Sequence, residues 1–326
     1  MPEPTHSVRG RRVMVTGGCG FIGSHLARGL IERGAREVVV LDKLKYGSAP
    51  DLPAGVKVVR FALGEDEPGP LQEHLAGIDH VLHLAAEKHS QVRPDPDLIL
   101  ASNVIGTQAL LNAARGAGVR KVVFASSVYA YGRMQGPAMV ETELPQPRTV
   151  YGVSKLAGEH LTAAAAAQGG FEWMVLRYFF VYGPGQYPGT GYKSVIVKNG
   201  ERLLHSLPPT VIGDGEQALD YVYVDDVVEA TLLALEGSIS GETLNVASGQ
   251  AVTINRLLAG LAATALASQG QAGAPLDRVQ LPPDDTAGSC RVGSIDRIRA
   301  VLGWYPRVDL EEGLYRTYAW MREALR

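Results

Sequence analysis

Over the first 180 residues, short continuous apolar runs alternate with longer segments of helical spacing. The runs at 13–16, 37–42 (EVVVLD), 56–61, 80–86 (HVLHLAA), 121–126 and 173–178 predict six strands. They are continuous rather than alternating, the pattern of strands covered on both faces, as in parallel sheets. Residues 21–33 carry Ile22, Leu26, Leu30 and Ile31 at helical spacing, with Gly34 as the stop. Residues 98–115 and 151–168 read as helices as well. Strands alternating with helices predict right-handed βαβ units and an α/β fold, a Rossmann doubly wound parallel sheet.

The pattern changes after Val181. Residues 182–220 are rich in Gly, Pro and Tyr, with one helix expected at 194–206. A further strand is expected at 243–247, helices at 254–267, 294–302 and 310–325, and an exposed loop at 268–275. Residues 1–180, with the strand at 243–247, are expected to form the Rossmann domain. Residues 181–326 are expected to form mainly a smaller α/β substrate lobe. At 326 residues the chain has room for about two such units.

Lys and Arg number 31 against 34 Asp and Glu, for a net charge of −3. That balance argues against a nucleic-acid-coating protein and leaves no basic footprint for a membrane surface. No apolar run approaches the length of a membrane span, and the basic start of the chain lacks the apolar stretch of a signal peptide. Two cysteines, Cys19 and Cys290, cannot make a disulfide framework. A reducing, cytoplasmic setting is the expectation.

The strongest local motif is TGGCGFIG at 16–23, between a strand and a helix. Gly17, Gly20 and Gly23 let the backbone turn tightly and approach a pyrophosphate without a Cβ in the way. The helix N-terminus offers free N–H groups to the phosphates. Asp42 ends the second strand, where a carboxylate accepts from the adenosine ribose hydroxyls and repels a 2′-phosphate, favouring NAD over NADP. Lys43 and Lys45 stand close and work against that preference. Tyr151 and Lys155 lie four residues apart, on one face of a helix; of the 13 tyrosines only this one has Lys at that spacing. A neighbouring ammonium is expected to lower the phenol's pKa towards working pH. Ser126 and Ser127 end the fifth strand, at the edge where parallel sheets bind ligands.

With these motifs in place the chain resembles the extended short-chain dehydrogenase/reductase superfamily, and within it the NAD-dependent sugar epimerase/dehydratase family. The matching segments include TGGCGFIGSHL (16–26), HLAA (83–86), NVIGT (103–107), FASSVYAYG (124–132), YGVSKLAGE (151–159), LRYFFVYGPGQ (176–186) and LGW (302–304). The resemblance implies that Ser127, Tyr151 and Lys155 are catalytic, with Ser127 rather than Ser126 at the Ser/Thr position. It implies a cofactor set of Gly17, Gly20, Phe21, Ile22, Gly23, Asp42, Leu84, Ala85, Ala86, Lys88, Asn103 and Tyr178, besides Tyr151 and Lys155. It also implies a homodimer through the helices at 98–116 and 151–168.

Dehydratases of the family carry an Asp-Glu pair directly after the Ser/Thr, where this chain has Val128 and Tyr129. Epimerisation of a sugar or nucleotide sugar at C4 is therefore expected first. A keto-sugar reductase or dehydratase, or a non-catalytic NAD-binding regulator, are the alternatives. The substrate side departs from the family. An Asn near the nucleotide phosphates is Phe180, a diphosphate-binding Arg is Leu219, and the R-P-G-D expected at 282–285 reads PPDD. Arg93, Lys193 and Lys198, with Arg202 and His205 nearby, are candidate replacements, and Ser127, Tyr129 and Phe180 complete the expected substrate set. Leu63 stands near the position of an adenine-binding Asp, with Glu65 or Asp66 as possible substitutes.

Overall fold

The computed structural model describes residues 6–45, 51–88, 95–186, 193–268, 277–283 and 288–325. The strands are β1 (Arg12–Thr16), β2 (Glu37–Asp42), β3 (Val56–Arg60), β4 (His80–His83), β5 (Lys121–Ser127), β6 (Glu172–Tyr178), β7 (Phe180–Tyr182), β8 (Thr210–Ile212), β9 (Ala218–Leu219), β10 (Tyr221–Tyr223), β11 (Glu242–Val246), β12 (Val252–Thr253), β13 (Val279–Leu281) and β14 (Cys290–Arg291). The helices are α1 (Phe21–Glu32), α2 (Gly69–Leu75), α3 (Pro96–Leu100), α4 (Gly106–Gly116), α5 (Val150–Ala167), α6 (Val195–Leu204), α7 (Val224–Glu236), α8 (Ile254–Ala267), α9 (Asp296–Leu302) and α10 (Leu310–Ala324).

Seven strands form one parallel sheet in the order β11-β6-β5-β4-β1-β2-β3. The order reverses between β1 and β4, and the crevice at that switch is where such sheets bind ligands. One face is packed by α1 and α7 through Leu26, Leu30, Val227 and Leu235. The other is packed by α2 and α4 through Leu71, Leu75, Leu110 and Leu111. A third apolar cluster, with Ile196, Leu203, Leu257, Leu261 and Leu314, joins α6, α8 and α10 beside the small sheets.

Three expectations are corrected here. The third strand is not covered on both faces: β3 lies at the sheet edge, and Val58 is 36% exposed. The run 80–86 leaves the sheet at His83, because Leu84 and Ala85 turn their N–H groups to the carbonyl and hydroxyl of Thr16. The helix expected over 98–115 is interrupted by a π-helical turn at Ala101–Ile105. Asn103 lies within that turn, and such turns are frequent at functional sites. The candidate Arg93 and, apart from Ser268, the loop expected at 268–275 lie outside the described residues. Among the described residues no helix is long and apolar enough to cross a membrane.

Two histidines of β4 are fully buried. Burial holds His80 down to about 4 and His83 down to about 3. In the unfolded chain both protonate near the ordinary 6.5. Below that pH the unfolded state therefore binds more protons, and stability falls as pH falls. The expected slope is about 1.4 kcal/mol per histidine per pH unit until each folded-state value is passed. Urea midpoints between pH 7 and 4.5 measure it, and His83→Gln should flatten the decline.

Candidate active site

The glycine loop between β1 and α1 is shaped by contact rather than by sequence alone. Gly17 has φ +70°, and a Cβ there would lie 2.8 Å from the Ala85 nitrogen. A Cβ at Gly23 would run into the Gly17 carbonyl oxygen. Leu84, Ala85 and Ala86 thus form the opposite wall of the same crevice. Helix α1 begins at Gly20 with no side-chain cap and no acidic residue in its first turn. The N–H groups of Phe21, Ile22 and Gly23 are left to an outside anion. This cradle fits the pyrophosphate of a dinucleotide.

Asp42 accepts from the Cys19 N–H at 3.0 Å and the Leu44 N–H at 2.9 Å, one bond to each oxygen. A carboxylate has lone pairs to spare after that, so Asp42 can also accept from ribose hydroxyls. Lys43 is drawn away from it, pairing with Glu65 at 2.9 Å and with buried Glu87; Lys45 lies 3.4 Å from Glu87. The two cations that worked against NAD are thus matched by carboxylates. Of the two candidate substitutes near Leu63, Glu65 pairs with Lys43 at 2.9 Å and Asp66 accepts from the Ala62 N–H at 2.7 Å.

Tyr151 enters on the first turn of α5, which Thr149 caps by accepting from the Gly152 N–H. The Lys155 ammonium lies 5.8 Å from the Tyr151 ring centre and 5.1 Å from that of Phe124. It donates to the Ala125 carbonyl at 2.8 Å. Burial lowers the Lys155 pKa to about 8, against the raising charge of Glu159; Lys88 adds to the lowering. The expectation for the phenol is reversed: burial raises Tyr151 to about 12, and a hydrogen bond with Ser127 pulls it down only in part. In the protein alone Tyr151 is therefore a proton donor.

The two serines at the end of β5 have different partners. Ser126 is buried and donates to Glu159, whereas Ser127 faces Tyr151 and accepts from the Tyr129 N–H at 3.3 Å. Glu159 also holds Arg177 bidentately, at 2.9 and 2.6 Å, with both side chains buried. Burial alone would lower the Arg177 pKa, yet the bonds to Glu159 raise it overall. The Arg177 guanidinium packs 4.4 Å over the Tyr131 ring. This layer packs beside Tyr151 and Lys155, and motif reading missed it. Its only signal was Glu159 one turn beyond Lys155.

Several expected residues are engaged elsewhere. Asn103 accepts from the Glu87 N–H at 2.7 Å and donates to the Glu87 carbonyl and the Ser154 hydroxyl, both at 3.0 Å. Its amide ties the 84–88 segment to α5. The Tyr178 hydroxyl bonds Thr231 of α7 at 2.8 Å, inside the core. Lys193 is closed on Glu201 at 2.6 Å, Arg202 donates to the Pro208 carbonyl at 2.7 Å, and Lys198 is exposed on α6. Lys88 is accessible but recessed, so that burial by its surroundings lowers its pKa.

The surroundings of Tyr129 are aromatic. The Tyr129 ring meets that of Tyr151 edge-on at 5.9 Å and that of Phe180 at 6.5 Å. Arg291 of β14, which sequence reading passed over, lays its guanidinium 4.8 Å over Tyr129. The Ser127, Tyr151 and Lys155 side chains thus meet at the carboxyl ends of β5 and β6, across the β1–β4 crevice from the glycine loop. This arrangement can pass a proton to or from a hydroxyl or carbonyl beside a bound dinucleotide.

Residues 13–247 match the family model described as NAD dependent epimerase/dehydratase family. A dTDP-glucose 4,6-dehydratase of Streptomyces griseus is 33% identical over 94% of this chain and 93% of its own. The UDP-glucose 4-epimerase of Thermotoga maritima, solved with UDP-glucose, superposes with a TM-score of 0.86 at 34% identity, covering 97% of this chain and 100% of its own. The UDP-glucose 4-epimerase of Thermus thermophilus, solved in complex with NAD, gives 0.84 at 37% identity, covering 96% and 99%. The geometry and these similarities agree, and the chain belongs to the NAD-dependent epimerase/dehydratase family of the extended short-chain dehydrogenase/reductase superfamily.

Proposed function

We propose that this enzyme is a nucleotide-sugar epimerase that inverts C4 through a transient 4-keto sugar. The observation that carries the reading is the pair after Ser127. Val128 is buried and apolar and Tyr129 is aromatic, so the catalytic set has no adjacent carboxylate pair to drive water loss. NAD, held by the glycine loop, the α1 N-terminus and Asp42, supplies the hydride acceptor and donor and, when oxidised, a positive charge. Tyr151 takes the proton from the C4 hydroxyl as C4 is oxidised and returns it when the other face of C4 is reduced. Ser127 bonds the same sugar oxygen. The Lys155 ammonium, present below about pH 8, stabilises the phenolate.

The solved relatives hold UDP-glucose or NAD, which supports a nucleotide-linked hexose here. Incubation with UDP- and dTDP-sugars, followed by proton NMR, tests the reading. Interconversion of a 4-epimer pair without added cofactor is expected. Net consumption of NADH with a keto sugar, or loss of water to a 4-keto-6-deoxy sugar, would replace it with a reductase or a dehydratase.

The enzyme is also read as a homodimer through the helical run 98–116 and α5. Leu100 is 40% exposed, Ile105 63% and Val153 47%, an apolar set on α3, the π-helical turn and α5. Light scattering should give twice the chain mass, and Ile105→Lys should halve it.

A further inference from the structure

Arg291 is a cation at the site with no acceptor among the described residues. Its side chain is half-buried and has no hydrogen-bond or ion-pair partner among the described residues. Its backbone is fixed firmly. Its carbonyl accepts from the Asp220 N–H at 3.0 Å, and two residues on, the Gly293 N–H donates to the buried Asp220 carboxylate at 3.1 Å. The guanidinium carbon lies 4.8 Å from the centre of the Tyr129 ring, which in turn meets Tyr151 and Phe180. This cation–π contact anchors the side chain while its N–H groups have no acceptor among the described residues.

The neighbouring positions explain why a cation is wanted there. Leu219 and Phe180 are apolar, Lys193 is neutralised by Glu201, and Arg202 is bound to a backbone carbonyl. Arg291 is the register partner of Leu219 in the parallel β14–β9 pair. Register partners point to the same face and lie about 4.8 Å apart. An arginine at 291 therefore covers nearly the space that one at 219 would.

We propose that Arg291 binds the pyrophosphate of the substrate, the cation having moved one strand sideways from position 219 to position 291. The proposal rests on the nucleotide-sugar reading above. A bidentate guanidinium–phosphate contact of this kind contributes to ground-state and transition-state binding alike, so its loss appears in KM and not in kcat.

The test is calorimetric titration of the NAD-loaded enzyme with UDP, dTDP, UDP-glucose and UDP-glucuronate, together with steady-state rates. Arg291→Gln should weaken UDP and both UDP-sugars alike, by about ten- to hundredfold. It should leave kcat and NAD content near wild type. Arg291→Lys should recover part of the affinity, and adding Leu219→Arg to Arg291→Gln should recover most of it. Wild-type affinity for UDP in Arg291→Gln would overturn the proposal and leave the nucleotide-sugar reading standing. Weakening confined to UDP-glucuronate would assign the guanidinium to a sugar carboxylate and overturn the pyrophosphate contact. A wild-type enzyme that retains NAD yet binds none of the four ligands would overturn the nucleotide-sugar reading, and the proposal with it.

Discussion

Tyr151→Phe should lower kcat by about a thousandfold or more while NAD content and nucleotide-sugar affinity stay near wild type. The substitution removes one oxygen from a ring packed against Tyr129 and near Lys155, so the site keeps its shape. What it loses is the group that exchanges a proton with the sugar oxygen. The raised pKa of about 12 in the protein alone makes the phenolate form costly before ligands arrive. The positive charge of oxidised NAD and the Lys155 ammonium both favour the phenolate. Rates should therefore fall on the alkaline side as Lys155 loses its proton, above about pH 8. Single-turnover absorbance at 340 nm checks the variant: wild-type protein should show reduced cofactor forming with substrate, and Tyr151→Phe almost none.

Glu159→Leu should produce the largest loss of stability, about 3–5 kcal/mol, because it strands the Arg177 charge in the core. Glu159 and Arg177 are 7% and 4% exposed, and the carboxylate also receives Ser126. Removing both charges with Glu159→Leu and Arg177→Met should restore much of the stability, since a buried pair replaced by apolar groups is often close to neutral. Function should not return with it. Glu159 holds the Lys155 pKa up against burial, so both variants should move the alkaline limb of the rate profile to lower pH. Urea unfolding and a pH–rate profile separate the two effects.

The Rossmann half was legible because its strands are apolar runs between helices, and all seven parallel strands, the one expected at 243–247 included, fall in the expected order along the chain. The edge strand β3 was misread as covered because VKVVR looks like its neighbours; only its place in the sheet exposes it. Helix α7 was overlooked although Val224, Val227, Ala230, Thr231, Ala234 and Leu235 form a buried stripe at helical spacing. The continuous apolar run within TLLALE, the second half of the helix, hides that period. Tyr151 and Lys155 were legible because one helix carries both.

The direction of the Tyr151 shift was not legible, because spacing does not reveal that the fold buries the phenol. The Glu159–Arg177 pair needs α5 packed on β6, and Arg291 needs a two-residue strand paired with β9. No local pattern encodes either contact. The same reason explains Asn103 and Tyr178: family position suggested a ligand, but contacts across the fold engage both side chains within the protein.

Deuterium at C4 of the sugar follows the central chemistry most directly. With UDP-[4-²H]glucose and no added cofactor, the account predicts UDP-galactose that keeps the label at C4, because the hydride that leaves that carbon returns to it within one active site. Inverted product in which solvent hydrogen has replaced the label, or NMR spectra that show no inversion in an enzyme carrying NAD, would contradict it.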